Sequence, residues 1–232
     1  MSIALIPLIQ KVLFAGLVSG QLPIPDHAPM SIAELDNLGE KLKARVVYVT
    51  AKEKQPRTSI ISAQLRDGFG VALNDNTIAI MSLIVQSSAE IMIHGPSRKA
   101  LKGILLAENP KSRVSLIRAK GSLSSIGLVA SEWVAEAQLQ VGLPTFALSS
   151  TLGKPEIQEF FLTHTGLEIG YEGTPRLNHP LQNGMPVFNA SAQCLGFARA
   201  GLWDVDKNLL VPAKAIHEAF ANESSRPNSS NR

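Results

Sequence analysis

The stretch Leu177-Asn178-His179-Pro180-Leu181-Gln182-Asn183-Gly184-Met185-Pro186-Val187-Phe188 decides how the chain is read. Its middle is a polar turn closed by glycine, and Pro186 to Phe188 is a short apolar strand, so it reads as a loop leading into a core. Downstream, Cys194 to Ala200 and Asn208 to Val211 read as further strands. Pro212 to Ala221 reads as a terminal helix, with proline in its first turn and Ala215, Ile216, Ala219 and Phe220 at helical spacing. Asn222 to Arg232 is mostly Ser, Asn, Arg and Pro and reads as a disordered tail.

Upstream of the stretch the same pattern repeats. Ser124 to Val129, Ala135 to Leu139, Thr145 to Leu148, Phe160 to Thr165 and Leu167 to Tyr171 are short apolar runs between turn signals. In the first half, Arg45 to Thr50 is a β-branched strand, and Asp67 to Leu73 turns through Asn74-Asp75-Asn76 into Thr77 to Met81 as a hairpin. Glu90 to His94, Ala100 to Ala107 and Val114 to Arg118 complete six strands. Ser31 caps a short helix whose Ile32, Leu35, Leu38 and Leu42 recur at helical spacing. The expected fold is all-β: two six-stranded antiparallel β-barrels with a short N-terminal helix and a C-terminal helix. The expected division is residues 1–30 as a leader plus loop, 31–122 as helix and first barrel, 123–221 as second barrel and helix, and 222–232 as tail.

Composition narrows the function classes. The 232 residues are 45% hydrophobic and 18% charged, which describes a globular chain with a sizeable core. The net charge is only +3, and the densest basic run, Arg98 to Lys102, lacks interleaved aromatics, so nucleic acid is not expected as a partner. The single cysteine, Cys194, lies among apolar neighbours and reads as a buried strand thiol. No cysteine pair or close histidine pair suggests a metal, and no cofactor motif is present in the sequence. Ile3 to Val18 is apolar apart from Gln10 and Lys11 and ends in Val18-Ser19-Gly20. Two readings of residues 1–20 stand: an export signal or weak membrane anchor, or an ordinary amphipathic start that leaves the chain in the cytoplasm.

Two barrels closed by a terminal helix resemble the chymotrypsin-like serine proteases, and the local strings are similar to the HtrA-type branch. Gly68-Phe69-Gly70-Val71-Ala72-Leu73 resembles the family's Gly-Ser-Gly-Val-Val-Ile strand. Ile78 to Val85 resembles Ile-Leu-Thr-Asn-Ala-His-Val-Val, which carries the catalytic histidine, and Leu83 stands at that position. Asn109 to Ile117 resembles Asp-Pro-Lys-Thr-Asp-Leu-Ala-Leu-Leu, with Arg113 in place of the triad aspartate. Gly142 to Leu148, running on to Leu152-Gly153, resembles Gly-Gln-Pro-Val-Ala-Ile followed by Pro-Leu-Gly. Leu181 to Asn189 resembles Gly-Asn-Ser-Gly-Gly-Pro-Leu-Phe-Asn, so Asn183 replaces the nucleophile. Leu83 and Arg113 are 30 positions apart, and Arg113 and Asn183 are 70 apart, in the family's order.

The resemblance implies a protease fold whose triad is replaced at all three positions. A triad needs a hydroxyl, an imidazole to take its proton and a carboxylate to orient that imidazole. Loss of the serine or histidine alone costs on the order of 10⁶ in rate in such an enzyme. The family's oxyanion loop is also altered: Leu181 and Met185 stand where glycines are expected, on either side of Gln182, Asn183 and Gly184, which implies a remodelled loop. His94, His164 and His179, with Ser82, Ser149 and Ser150, are the residues from which a different catalytic pair would be drawn; His217 reads as exposed. The expected function is therefore an inactive pseudoprotease that binds a protein or peptide or supports an oligomeric assembly. The alternative is an active serine-type peptidase with a non-standard site.

Overall fold

Strand-forming residues fill the chain wherever an apolar residue alternates with a polar one, and the computed structural model shows where those strands pair. It describes residues 29–54, 65–134, 138–150, 156–167, 175–199 and 208–220. The helix α1 (Ile32–Lys43) opens the described chain under a reciprocal cap, in which Ser31 Oγ accepts from the Glu34 N–H and the Glu34 carboxylate accepts from the Ser31 N–H. The Ser31 hydroxyl and N–H together hold the Glu34 carboxyl below its ordinary range. Leu38 and Leu42 bury its inner face, whereas Ile32 stays exposed.

The first barrel comprises β1 (Val46–Glu53), β2 (Leu65–Asn74), β3 (Thr77–Met81), β4 (Ser88–His94), β5 (Ala100–Asn109) and β6 (Val114–Ala119), closed in the order β1-β2-β3-β6-β5-β4. A one-turn helix, α2 (Ser82–Val85), joins β3 to β4. The second barrel comprises β7 (Pro144–Ser150), β8 (Glu156–His164), β9 (Arg176–Leu177), β10 (Pro186–Phe188), β11 (Cys194–Arg199) and β12 (Leu209–Pro212). It closes in the order β7-β8-β9-β12-β11-β10, so the two barrels share one wiring. The helix α3 (Ala213–Phe220) follows β12 directly. Two closed six-stranded antiparallel barrels with a helix before and after are the expected architecture, and they are consistent with a chymotrypsin-like fold. No helix among the described residues is long and apolar enough to cross a membrane.

The core follows from strand alternation on both faces. In the first barrel Val47, Val49, Ala51, Ile91 and Ile93 point inward, while their strand neighbours, except the buried Val46, are partly or fully exposed. In the second barrel both faces of β7, β10, β11 and β12 are largely covered, whereas β8 exposes Gln158 and Glu159. Ala147, Val187, Ala198 and Leu210 fill its interior. Their neighbours Phe146, Leu148, Phe188, Phe197 and Val211 point the other way and merge with the first barrel's core and with Ile216 and Phe220 of α3. That is why Pro186–Phe188 and Cys194 to Ala198 read as unbroken apolar runs.

Three strand expectations need correction or fall elsewhere. Ser124 to Val129 is not a strand: Leu123–Ile126 forms a 3₁₀ turn ended by Gly127 at φ 83°, and Val129 is exposed. The serines account for this. Ser125 Oγ donates to the Ser122 carbonyl at 2.6 Å, and the Ser124 N–H donates to Asp75 Oδ1 at 2.9 Å, offering the backbone local partners instead of a ladder. Of Ala135 to Leu139, residues 135–137 lie outside the described residues and Leu139 is in no strand. Leu167 is likewise in no strand, and the rest of that run, to Tyr171, lies outside the described residues. The third strand of the second barrel is instead the two-residue β9, too short to show any periodicity. The leader and tail, residues 1–28 and 221–232, also lie outside.

Candidate functional site

The segments bearing Leu83, Arg113 and Asn183 meet between the barrels. Met81 pairs with Val114 at the end of the β3–β6 ladder, and the Ser82 N–H then donates to the Arg113 carbonyl at 2.7 Å. This puts Leu83, one residue further along α2, beside the β5–β6 turn. From the other barrel Gly184 packs under the same point: a Cβ built on it would lie 3.1 Å from Met81 Cγ. Leu83 is 59% exposed, so its hydrocarbon faces solvent at this junction instead of joining the core, unlike Ile84 and Val85. Arg113 holds φ 57°, a left-handed conformation that a non-glycine residue adopts at some cost, and its N–H donates to the Asn109 carbonyl at 2.8 Å.

The loop around Asn183 is a tight turn with buried anchors. The Met185 N–H donates to the Gln182 carbonyl at 3.1 Å, and Gly184, third in that turn, holds φ 86°. The Gly184 N–H donates to the Ala198 carbonyl at 2.8 Å, and the Ala198 N–H returns to the Met185 carbonyl at 2.8 Å, stitching the turn to β11. Leu181 and Met185, the side chains standing at glycine positions of the resemblance, are buried in the second barrel's interior. Gln182 is exposed and Asn183 half-buried between them.

Polar groups near α2 form a short string. Ser115, fully buried, donates its hydroxyl to Ser82 Oγ at 2.8 Å, and Glu108 Oε1 lies 3.4 Å from the same hydroxyl. Arg66 fastens the other side: its Nη1 donates to the carbonyls of Leu83 and Gln86, and its Nη2 pairs with Glu53 at 2.7 Å. The C-terminal end of α2 thus has its carbonyls capped by a cation that is itself neutralised. Ser115, Glu108 and Arg66 escape sequence reasoning because their partners are remote in the chain. The only trace is a serine inside the apolar run Val114 to Ile117.

The histidines are dispersed. His94 packs on Tyr48, with ring centroids 5.6 Å apart, and shares a hydrogen bond with Thr50 Oγ1 at 3.0 Å on the outer face of the first barrel. Burial lowers its pKa below the ordinary value. His164 lies at the end of β8, 3.1 Å from Thr163 Oγ1. His179 is exposed after β9. His217, on α3, is exposed and meets Trp133 edge-on at 5.1 Å. The side chains of Ser149 and Ser150 lie outside the described residues. Cys194 has no exposed surface; burial pushes its thiol well above the usual range, and its Sγ contacts the Gly196 carbonyl at 3.7 Å.

No protein-family model and no curated protein matches this sequence.

Proposed function

We propose that the chain is a catalytically inactive, trypsin-like pseudoprotease of HtrA-like type that binds an extended protein or peptide segment at the junction of its barrels. The observation that carries this reading is the solvent-facing hydrocarbon of Leu83 where the resemblance calls for imidazole, beside the segments of Arg113 and Asn183. A leucine neither takes nor gives a proton, an amide is no competent nucleophile, and a guanidinium repels the imidazolium a triad must stabilise. An exposed apolar side chain in a cleft suits recognition of a peptide's apolar residue. Both barrels close their ladders, so the cleft supplies the docking surface in place of a free strand edge. The same reading takes residues 1–20 as an export or anchoring segment, checked by N-terminal sequencing after cell fractionation.

The purified protein is expected to leave casein intact and to take no label from a fluorophosphonate probe. Cleavage that disappears on Asn183→Ala would overturn the proposal. Leu83→Asp should weaken capture of extended apolar peptides at least about tenfold without moving the melting temperature. The second reading, a serine-type peptidase with a non-standard site, rests on the Ser82–Ser115–Glu108 string. It predicts fluorophosphonate labelling of Ser82, lost in Ser82→Ala. No imidazole belongs to that string, so its hydroxyls lack the base that activation requires.

A further inference from the structure

A cavity of about 380 Å³ lies where the β5–β6 turn, the ends of β11 and β12, and α3 meet. That volume is within the range of small-molecule sites. One wall is hydrocarbon, from Val211, Pro212 and Ala215; the other carries Lys111, Ser112, Arg199 and Glu218. Neither Lys111 nor Arg199 forms an ion pair among the described residues. Two cations and one carboxylate leave the wall one positive charge in excess. A bound anion offsets that excess.

The Ser112 hydroxyl lies within the turn, with no surface open to the cavity and no hydrogen-bond partner, although buried hydroxyls ordinarily find one. The turn that holds it is pre-set: Asn109 Oδ1 accepts from the Lys111 N–H at 3.0 Å and from the Ser112 N–H at 2.9 Å. A ligand carboxylate reaching this wall meets two cations without having to order the turn.

We infer that this cavity binds a monocarboxylate carried on an apolar body, its charge on Lys111 and Arg199 and its hydrocarbon against Val211, Pro212 and Ala215. A single negative charge matches the single excess positive one. A compact inorganic anion would leave the hydrocarbon wall wet, and a neutral ligand would leave the cations uncompensated. The carboxylate comes either from a free short-chain acid or from the C-terminus of a peptide. This inference stands whether or not the chain is a pseudoprotease, since no triad position lines the cavity.

Isothermal titration of the full chain with hexanoate, hexanamide, inorganic phosphate, and N-acetyl-Leu-Leu as free acid and as C-terminal amide tests it. At least one acid is expected to bind, with its amide weaker by about tenfold or more. Arg199→Gln and Lys111→Gln should each cost a similar factor, and Lys102→Gln, outside the cavity on β5, nothing; unchanged urea midpoints verify that each variant folds. Tighter binding of the peptide acid than of hexanoate assigns the peptide terminus, and the reverse order assigns the free acid. Amides or phosphate binding as tightly as the acids, or no acid binding at concentrations on the order of 10 mM, would overturn the inference.

Discussion

The two barrels share one strand order but are closed by different means. In the first, β1 and β4 seal the cylinder along a ladder running from Tyr48↔His94 to Glu53↔Ser88, and β3 and β6 pair from Thr77↔Arg118 to Met81↔Val114. In the second, among the described residues, the corresponding seams are single pairs, Phe146↔Phe188 between β7 and β10 and Arg176↔Leu209 between β9 and β12, the latter flanked by hydrogen bonds from the Leu177 N–H to the Asn208 carbonyl and from the Leu210 N–H to the Pro175 carbonyl. Backbone hydrogen bonding therefore closes the first barrel. The second depends on side chains, chiefly Phe146, Phe188 and Phe197, all fully buried against the first barrel's core. The difference teaches that one topology can be held by its ladders or by what packs outside it.

The sharpest way to break the second barrel is Gly196→Ala. Residue 196 sits at φ 149°, and an added Cβ would lie 2.0 Å from the Val211 carbonyl oxygen, so β11 and β12 must part. A loss above about 4 kcal/mol is expected from the urea midpoint, an amount reserved for forced backbone clashes of this kind. Next comes Phe188→Ala, which empties the seam residue itself and should cost about 3–5 kcal/mol. Hydrogen exchange then discriminates: amides of β7 and β10 should lose protection while those of β1 and β4 keep theirs. Equal loss in both barrels would show that the two seams are not independent.

A smaller effect has the opposite sign. Thr145 in β7 is fully buried, and its Oγ1 has no hydrogen-bond partner, so Thr145→Val should stabilise the second barrel by about 1 kcal/mol, read as a raised urea midpoint. The smallest concerns the first barrel and pH. Burial depresses the pKa of His94 below its ordinary 6.5, so the unfolded chain binds more protons than the folded one in the window just below that value. The stability His94 contributes is complete above pH 6.5 and is lost as pH falls through the window. His94→Gln should therefore flatten the decline in urea midpoint between about pH 7.5 and pH 5.5.

Much of this was legible in the sequence, and the exceptions share a cause. Strands whose faces alternate or whose ends carry Asn, Asp and Gly signals, such as Leu65–Asn74 and Thr77–Met81, were readable because period and turn chemistry are local properties. The segments of Leu83, Arg113 and Asn183 could be placed in order by spacing, and the loop anchors Leu181 and Met185 announced themselves as bulky residues where glycine was expected. Three features were not legible: the serine-stabilised turn after β6, the two-residue β9, and the Arg66 fastening of α2. The first hides in a composition that also suits a strand, the second is shorter than any period, and the third joins residues 17 to 20 positions apart across the barrel wall. The anion-seeking cavity is invisible for the same reason, since its cations and its hydrocarbon come from four separate elements.

Cys194 turns the contrast between the barrels into something that can be timed. Its sulfur is sealed in β11 with no exposed surface, packed in the core that joins the two barrels, and its thiolate is suppressed by burial, so a soluble alkylating reagent can reach it only while that packing opens. As the sole cysteine of the chain it gives one signal with no background. The native labelling rate, divided by the rate in urea, thus gives the fraction of molecules in which β11 has parted from the core that covers it, with a probe already present in the wild-type sequence.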